Sequence, residues 1–174
     1  MEKVIIEKSG ITFPEGYYFK QSPVNQQGKI PSSSISEINL HTFPPSLVRE
    51  EREVIFIPSK YKNQLQEFGE SHQIPISHRF DIWEALCRPY LDCEMFPGEE
   101  EQLLKNLEEA GIPEQEIRQI RSKINKTMSK NMYAWEWTYL GLFDFLNWKD
   151  RLDSEKYWWS MHIALRNIQT SPSK

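Results

Sequence analysis

Residues 131–152 read NMYAWEWTYLGLFDFLNWKDRL and hold three of the chain's six tryptophans, with two tyrosines and two phenylalanines. Read as a helix, Met132, Trp135, Tyr139, Leu142 and Leu146 recur at spacings of three, four, three and four, which makes one continuous stripe. Tyr133, Trp137, Leu140 and Phe143 fill much of the remaining circumference. A helix apolar on most sides belongs at the centre of a core. It is too short, and too interrupted by Glu136, Asp144 and Asn147, to span a bilayer. The expectation is an aromatic central helix that the other helices surround.

Downstream, Asp153 or Ser154 caps a last helix in which Trp158, Met161, His162, Leu165 and Ile168 can pack, and Thr170–Lys174 is a small polar tail. Upstream, Glu114–Lys130 turns Ile117, Ile120, Ile124 and Met128 inward, with Pro113 where a first-turn proline is tolerated. Glu99–Ala110 has an acidic first turn, an inner face of Leu103, Leu104 and Leu107, and Gly111 as its stop. Phe80–Leu91 carries Ile82, Trp83, Leu86 and Tyr90 at helical spacing, with Asp81 near its start and Pro89 ending it near Arg88.

Before residue 78 the pattern is that of strands. Val4–Ile6 and Ile11–Phe13 flank Glu7-Lys8-Ser9-Gly10 as a hairpin, and Tyr17–Lys20 is a third short strand. Gln21–Ser34 is polar and reads as a loop. Ile35–His41 follows as a strand. Ser46–Val48 and Val54–Ile57 form a second hairpin with the charged run Arg49–Glu53 as a solvated tip. Ser59 caps the next helix, Tyr61, Leu65 and Phe68 share its inner face, and Gly69 stops it. The sum is an α+β chain: a small N-terminal antiparallel sheet, then a C-terminal helical half built around the aromatic helix. The expected division is a β-rich part over 1–77 with one covering helix, a helical part over 78–169 and a disordered tail over 170–174, joined as one compact unit.

A net charge of −4, from 21 basic and 25 acidic residues, opposes a general nucleic-acid binder. Arg118, Arg121, Lys123, Lys126 and Lys130 do crowd one helix, but Asp92–Glu109 carries seven acids against one lysine, so neighbouring helices can neutralise each other. The N-terminus, MEKVIIEKSG, lacks the apolar run of a signal peptide, and no window has transmembrane length, so a cytoplasmic protein with no membrane partner is expected. Cys87 and Cys93 suit a reducing compartment. With His41, His72, His78 and His162 they make no metal-ligand spacing, and no phosphate-cradling glycine motif occurs, so neither metal nor cofactor is expected.

Carboxylates in apolar surroundings are the next candidates. Glu136 lies between two tryptophans and Asp144 between two phenylalanines; burial would raise their pKa unless Arg79, Arg88 or Arg166 pairs with them. Trp158 and Trp159, adjacent in a helix, point about 100° apart, so one can face outward as a protein-interface residue.

Arg79-Phe80-Asp81-Ile82-Trp83, then Pro89-Tyr90-Leu91-Asp92, and later Trp135-Glu136-Trp137 with Leu140-Gly141-Leu142, resemble an uncharacterised family of small bacterial proteins over residues 54–146. There an R-x-D-x-W…P-[FY]-L-D pattern precedes a helical half. The resemblance implies no known activity. The leading expectation is a non-enzymatic protein of regulatory, adaptor or immunity type that binds another protein, with Trp158 and Trp159 as interface candidates; homo-oligomerisation is compatible with it. The alternative is an enzyme or small-ligand binder with a polar cleft of Arg79, Asp81, Asp92 and Glu136, in which Asp81, Asp92 and Glu136 would do acid–base chemistry.

Overall fold

The computed structural model describes residues 3–91, 94–128, 139–148 and 152–166. The chain is α+β and folds as two compact units: Met1–Arg79 with Asp153–Met161, and Phe80–Leu152 with His162–Lys174.

In the first unit, β1 (Ile5–Glu7) and β2 (Gly10–Thr12) form the expected hairpin, with Ile6 opposite Ile11. The third strand is not Tyr17–Lys20. That segment buries Tyr17 and Phe19 and exposes Tyr18 and Lys20, so it has the alternation of a strand without the ladder. The segment expected to be a polar loop supplies the strand instead. Ser22 Oγ accepts the Val24 amide at 3.1 Å and starts α1 (Pro23–Gln27); Gly28, at φ 66°, ends it; β3 (Lys29–Pro31) then pairs antiparallel with β2.

A second sheet runs in the order β6-β5-β4-β7. β4 (Ile35–Asn39), β5 (Ser46–Arg49) and β6 (Glu53–Phe56) are antiparallel neighbours, as the sequence implies. α2 (Lys62–His72) then carries the chain back to β7 (Ile76–Ser77), a two-residue strand parallel to β4. The edge strand β6 is buried along its whole length. Its outward amides are used: Val54 N–H meets Met161 Sδ at 3.3 Å and Phe56 N–H donates to Tyr17 Oη at 3.0 Å. Covering an edge in this way removes a template for intermolecular pairing.

Two readings around α2 are corrected. Ser59 starts a 3-10 turn and makes no side-chain cap; α2 begins after Tyr61. Gly69 does not stop the helix, which ends at Gln73 in the left-handed region. Gly69 is instead where α2 presses onto the sheet: a Cβ there would lie 2.8 Å from Ile76 Cδ1 and 2.9 Å from Ile38 Cδ1. Gly69→Val is expected to destabilise the protein by about 2–3 kcal/mol through overpacking, read as a lower urea midpoint. An unchanged midpoint would mean that α2 does not lie this close.

In the second unit, α3 (Ile82–Cys87) ends in a 3-10 turn containing Pro89, near Arg88 as expected. α4 (Glu99–Glu109) closes on Gly111, whose N–H donates to Glu108 O at 2.8 Å while Ile112 N–H reaches Leu107 O at 3.0 Å. α5 (Glu114–Met128) buries Ile117, Ile120 and Ile124; the Met128 side chain lies outside the described residues. The aromatic stretch is not one helix. Residues 131–138 and 149–151 lie outside the described set, and the described part starts a new helix, α6 (Leu142–Asn147), from extended backbone at Gly141. Asp144 Oδ2 accepts the Gly141 amide at 2.9 Å, so the break has its own cap.

α7 (Ser154–Ala164) is capped by Asp153, whose Oδ1 accepts the Lys156 amide at 2.8 Å. It buries Tyr157, Ser160, Met161 and Ile163 and turns Trp158 and His162 outward, a rotation from the packing face expected of it. Ile168 and the tail 170–174 lie outside the described residues. Among the described residues no helix is long and apolar enough to cross a membrane.

Candidate functional site

Asp81 organises the second unit. As the residue before α3 it has extended backbone, and its Oδ1 accepts the amides of Trp83 (3.0 Å) and Glu84 (3.1 Å). Its Oδ2 accepts the Tyr139 hydroxyl at 2.8 Å. The Tyr139 ring lies over Gly141, where a Cβ would meet the phenol oxygen at 2.6 Å. Trp83, fully buried, stacks on Phe145 with centroids 4.5 Å apart and planes 27° apart. Thus the starts of α3 and α6 are tied by one hydroxyl–carboxylate bond and one aromatic stack.

Two carboxylates here, Asp144 and Glu84, are partly desolvated. Burial first holds Asp144 above the ordinary carboxylate range; the Gly141 amide opposes this, and the Asp81 charge adds to it. Burial likewise raises Glu84, with Asp81 adding and Arg88 opposing. A proton therefore binds Asp144 more tightly in the folded than in the unfolded chain. The associated stability is present in full below the unfolded value of about 3.9 and is lost as pH rises through the raised folded value. Asp144→Asn keeps an oxygen for the Gly141 amide and removes the ionisation. The stability of the native chain relative to this variant is expected to be greatest in acid and to fall as pH rises through the raised folded value, by urea titration. A difference independent of pH would place Asp144 in solvent.

The three expected arginines each pair with a glutamate. Arg88 pairs with Glu99 (2.5 Å), Arg166 with Glu116 (2.6 Å) and, in the first unit, Arg79 with Glu37 (3.4 Å). The basic and acidic helices do meet: Arg121 of α5 pairs with Glu100 of α4, and Arg118 pairs with Glu114 one turn before it. Cys87 is buried; burial and the charges of Asp81 and Asp144 push its thiol up, so it remains protonated and unreactive.

In the first unit Arg79 serves structure. Besides its Glu37 pair, its amide donates to Ser77 Oγ at 3.0 Å. His41 and His78 stack at the ends of β4 and β7, with centroids 4.3 Å apart. Among the described residues no three His, Cys, Asp or Glu side chains gather as metal ligands would. Glu53, expected at a solvated hairpin tip, is 1% exposed. Its Oε2 takes Arg49 Nη1 at 3.2 Å and its Oε1 takes the Tyr157 hydroxyl at 2.8 Å. Burial, then Tyr17 and Glu53, drive the Tyr157 phenol far above its ordinary value, so it stays a donor. The hairpin register, which sets Glu53 opposite Arg49, draws the carboxylate in.

Of the six candidates, Asp92 and Glu136 lie outside the described residues. Arg79 and Asp81 are each engaged inside their own unit. Trp159 is half-buried and in contact with neighbours. Trp158 is 37% exposed, with its ring edge-on to Tyr157 at 5.3 Å and 86°. The sequence reading missed three other outward aromatics among the described residues, Tyr18 at 39%, Phe43 at 65% and Phe96 at 79%; the one signal for the two phenylalanines is a neighbouring proline in a turn segment. No protein-family model, curated protein or solved structure matches this chain.

Proposed function

We propose that the chain is a non-enzymatic protein-binding module, of regulatory, adaptor or immunity type, that docks through Trp158. The observation that carries this is the setting of that side chain. Trp158 projects from α7, and the next ring inward, Tyr157, is buried and hydrogen-bonded to Glu53. An indole held on a rigid base and partly exposed gives large contact area at small entropic cost, as interface anchors do. Two of the four polar side chains that a catalytic reading would use have partners within the fold: Arg79 pairs with Glu37, and Asp81 accepts from two amides and Tyr139. Two cysteines that suit a reducing compartment, and the likeness of Arg79–Trp83 to small bacterial proteins, support a cytoplasmic, bacterial setting.

The test is affinity capture from host cells with the native chain and with Trp158→Ala, read by mass spectrometry. A stoichiometric protein partner is expected with the native chain. Its affinity should fall about 30-fold or more in the variant, as for a hot-spot tryptophan, with an unchanged circular dichroism spectrum. Equal capture by both chains, or no partner for either, would overturn the reading.

A further inference from the structure

His41 and His78 are far apart in sequence and make no ligand motif there; parallel pairing brings them together. β4 and β7 set Ile38 opposite Ile76 and Asn39 opposite Ser77, so the two chains leave the sheet at the same end, each with a histidine just past its strand. The backbone around each is held. Asn39 Oδ1 accepts the His41 amide at 2.9 Å, and Ser77 Oγ accepts the Arg79 amide at 3.0 Å. Both side chains are exposed, and their rings lie with centroids 4.3 Å apart and planes 35° apart. Among the described residues neither ring has a hydrogen-bond partner. Each neutral imidazole therefore keeps one nitrogen lone pair to give.

The ring separation matches one coordination geometry. With metal–nitrogen bonds of about 2 Å and the ring centre about 1.1 Å beyond the nitrogen, two imidazoles at a right angle on one ion have centroids about 4.4 Å apart; at the tetrahedral angle the separation is about 5.1 Å. The observed 4.3 Å fits the right angle. Imidazole nitrogen suits copper, nickel and zinc, whereas magnesium and calcium take oxygen. Of the first three, copper(II) and nickel(II) favour square-planar or tetragonal sites and zinc a tetrahedral one. Arg79, next in sequence to His78, pairs with Glu37 at 3.4 Å, which offsets its charge.

We propose that His41 and His78 form an open two-imidazole site for a divalent tetragonal ion, copper(II) or nickel(II), whose other positions water fills. The rings already stand near the required separation, so little ordering entropy is lost on binding. A bound ion bridges the ends of β4 and β7 and pins a two-residue strand to its sheet. No residue of α7 takes part, so this inference stands or falls apart from the Trp158 reading.

The test is calorimetric titration of the full chain, at neutral pH, with the chlorides of copper(II), nickel(II), zinc(II) and magnesium. One copper(II) per chain is expected in the tightest class of sites, with nickel(II) bound at least as tightly as zinc(II) and magnesium not at all. His41→Ala and His78→Ala should each weaken copper(II) by about tenfold or more, because the second imidazole of a chelate acts at high effective concentration. Both side chains are exposed, so the circular dichroism spectrum should not change. His162→Ala, which removes an exposed imidazole of the other unit, should leave the affinity as it is. Electron paramagnetic resonance should count two equatorial nitrogens on copper(II) in the native chain and one in either of the first two variants. Equal affinity in the native chain and in either of those variants, an equal loss in His162→Ala, or a single equatorial nitrogen in the native chain would each overturn the proposal and leave the two rings an ordinary stack. Zinc(II) bound more tightly than nickel(II) would overturn the tetragonal assignment.

Discussion

Arg49→Met is expected to cost about 3–5 kcal/mol of stability, because it strips the cation from a buried carboxylate. Glu53 is 1% exposed, so water cannot replace the lost partner. Its two oxygens are divided between Arg49 at 3.2 Å and the Tyr157 hydroxyl at 2.8 Å; with Arg49 gone, a full negative charge depends on one neutral donor. Tyr157→Phe removes that donor and leaves the ion pair, for a smaller loss of about 1.5–3 kcal/mol, the worth of a hydrogen bond to a charged group. The informative variant is the double change Arg49→Met/Glu53→Leu. Replacing both members of a buried pair by apolar groups is often neutral, so most of the single-variant loss should return. Urea midpoints decide it. A cost below about 1 kcal/mol for Arg49→Met would mean that Glu53 is solvated.

Trp83→Ala is the second large effect, about 3–5 kcal/mol, from the lost burial and the cavity left behind. Trp83 is fully buried, and its stack on Phe145 joins α3 to α6. A cycle with Phe145→Leu separates stacking from burial: about 0.5–1.5 kcal/mol of coupling is expected beyond the two single effects. Strict additivity would show that the two rings do not act on one another. Asp81→Asn would leave this stack in place, so its loss isolates the cap and the Tyr139 bond.

Where a local pattern and the tertiary context agreed, the sequence was readable. Asp81 before an apolar helix, Pro89 after it, the triple glutamate opening α4 and Gly111 closing it all act as their residue types dictate. The misreadings share one cause, the ambiguity of a signal without its neighbours. Gly69 after an apolar face is a stop if the chain then turns and a close approach if a sheet lies beneath. A charged run between strands is a solvated tip unless the ladder sets one member inward, as it does Glu53. The 3-4-3-4 spacing through Tyr139 and Leu142 hid the Gly141-x-x-Asp144 start of a helix, which was visible in the sequence. β7 is two residues long, too short for any periodicity.

The site was legible in residue type more than in role. Arg79 and Asp81 were picked out as lining a polar cleft; Arg79 pairs with Glu37 and Asp81 with Tyr139, each inside its own unit, while Asp92 and Glu136 lie outside the described residues. Which tryptophan faces outward followed from the rotation of α7, which Tyr157 and Met161 set through contacts with Glu53 and Val54 that lie far away in sequence.

The most direct measurement is hydrogen–deuterium exchange on the chain alone and on the complex recovered by affinity capture. If Trp158 anchors a protein partner, amides of residues 154–161 gain protection in the complex while those around Arg79 and Asp81 are unchanged. Protection confined to the Arg79 and Asp81 segments, with residues 154–161 unaltered, would contradict the account and return function to the polar residues assigned here to the fold.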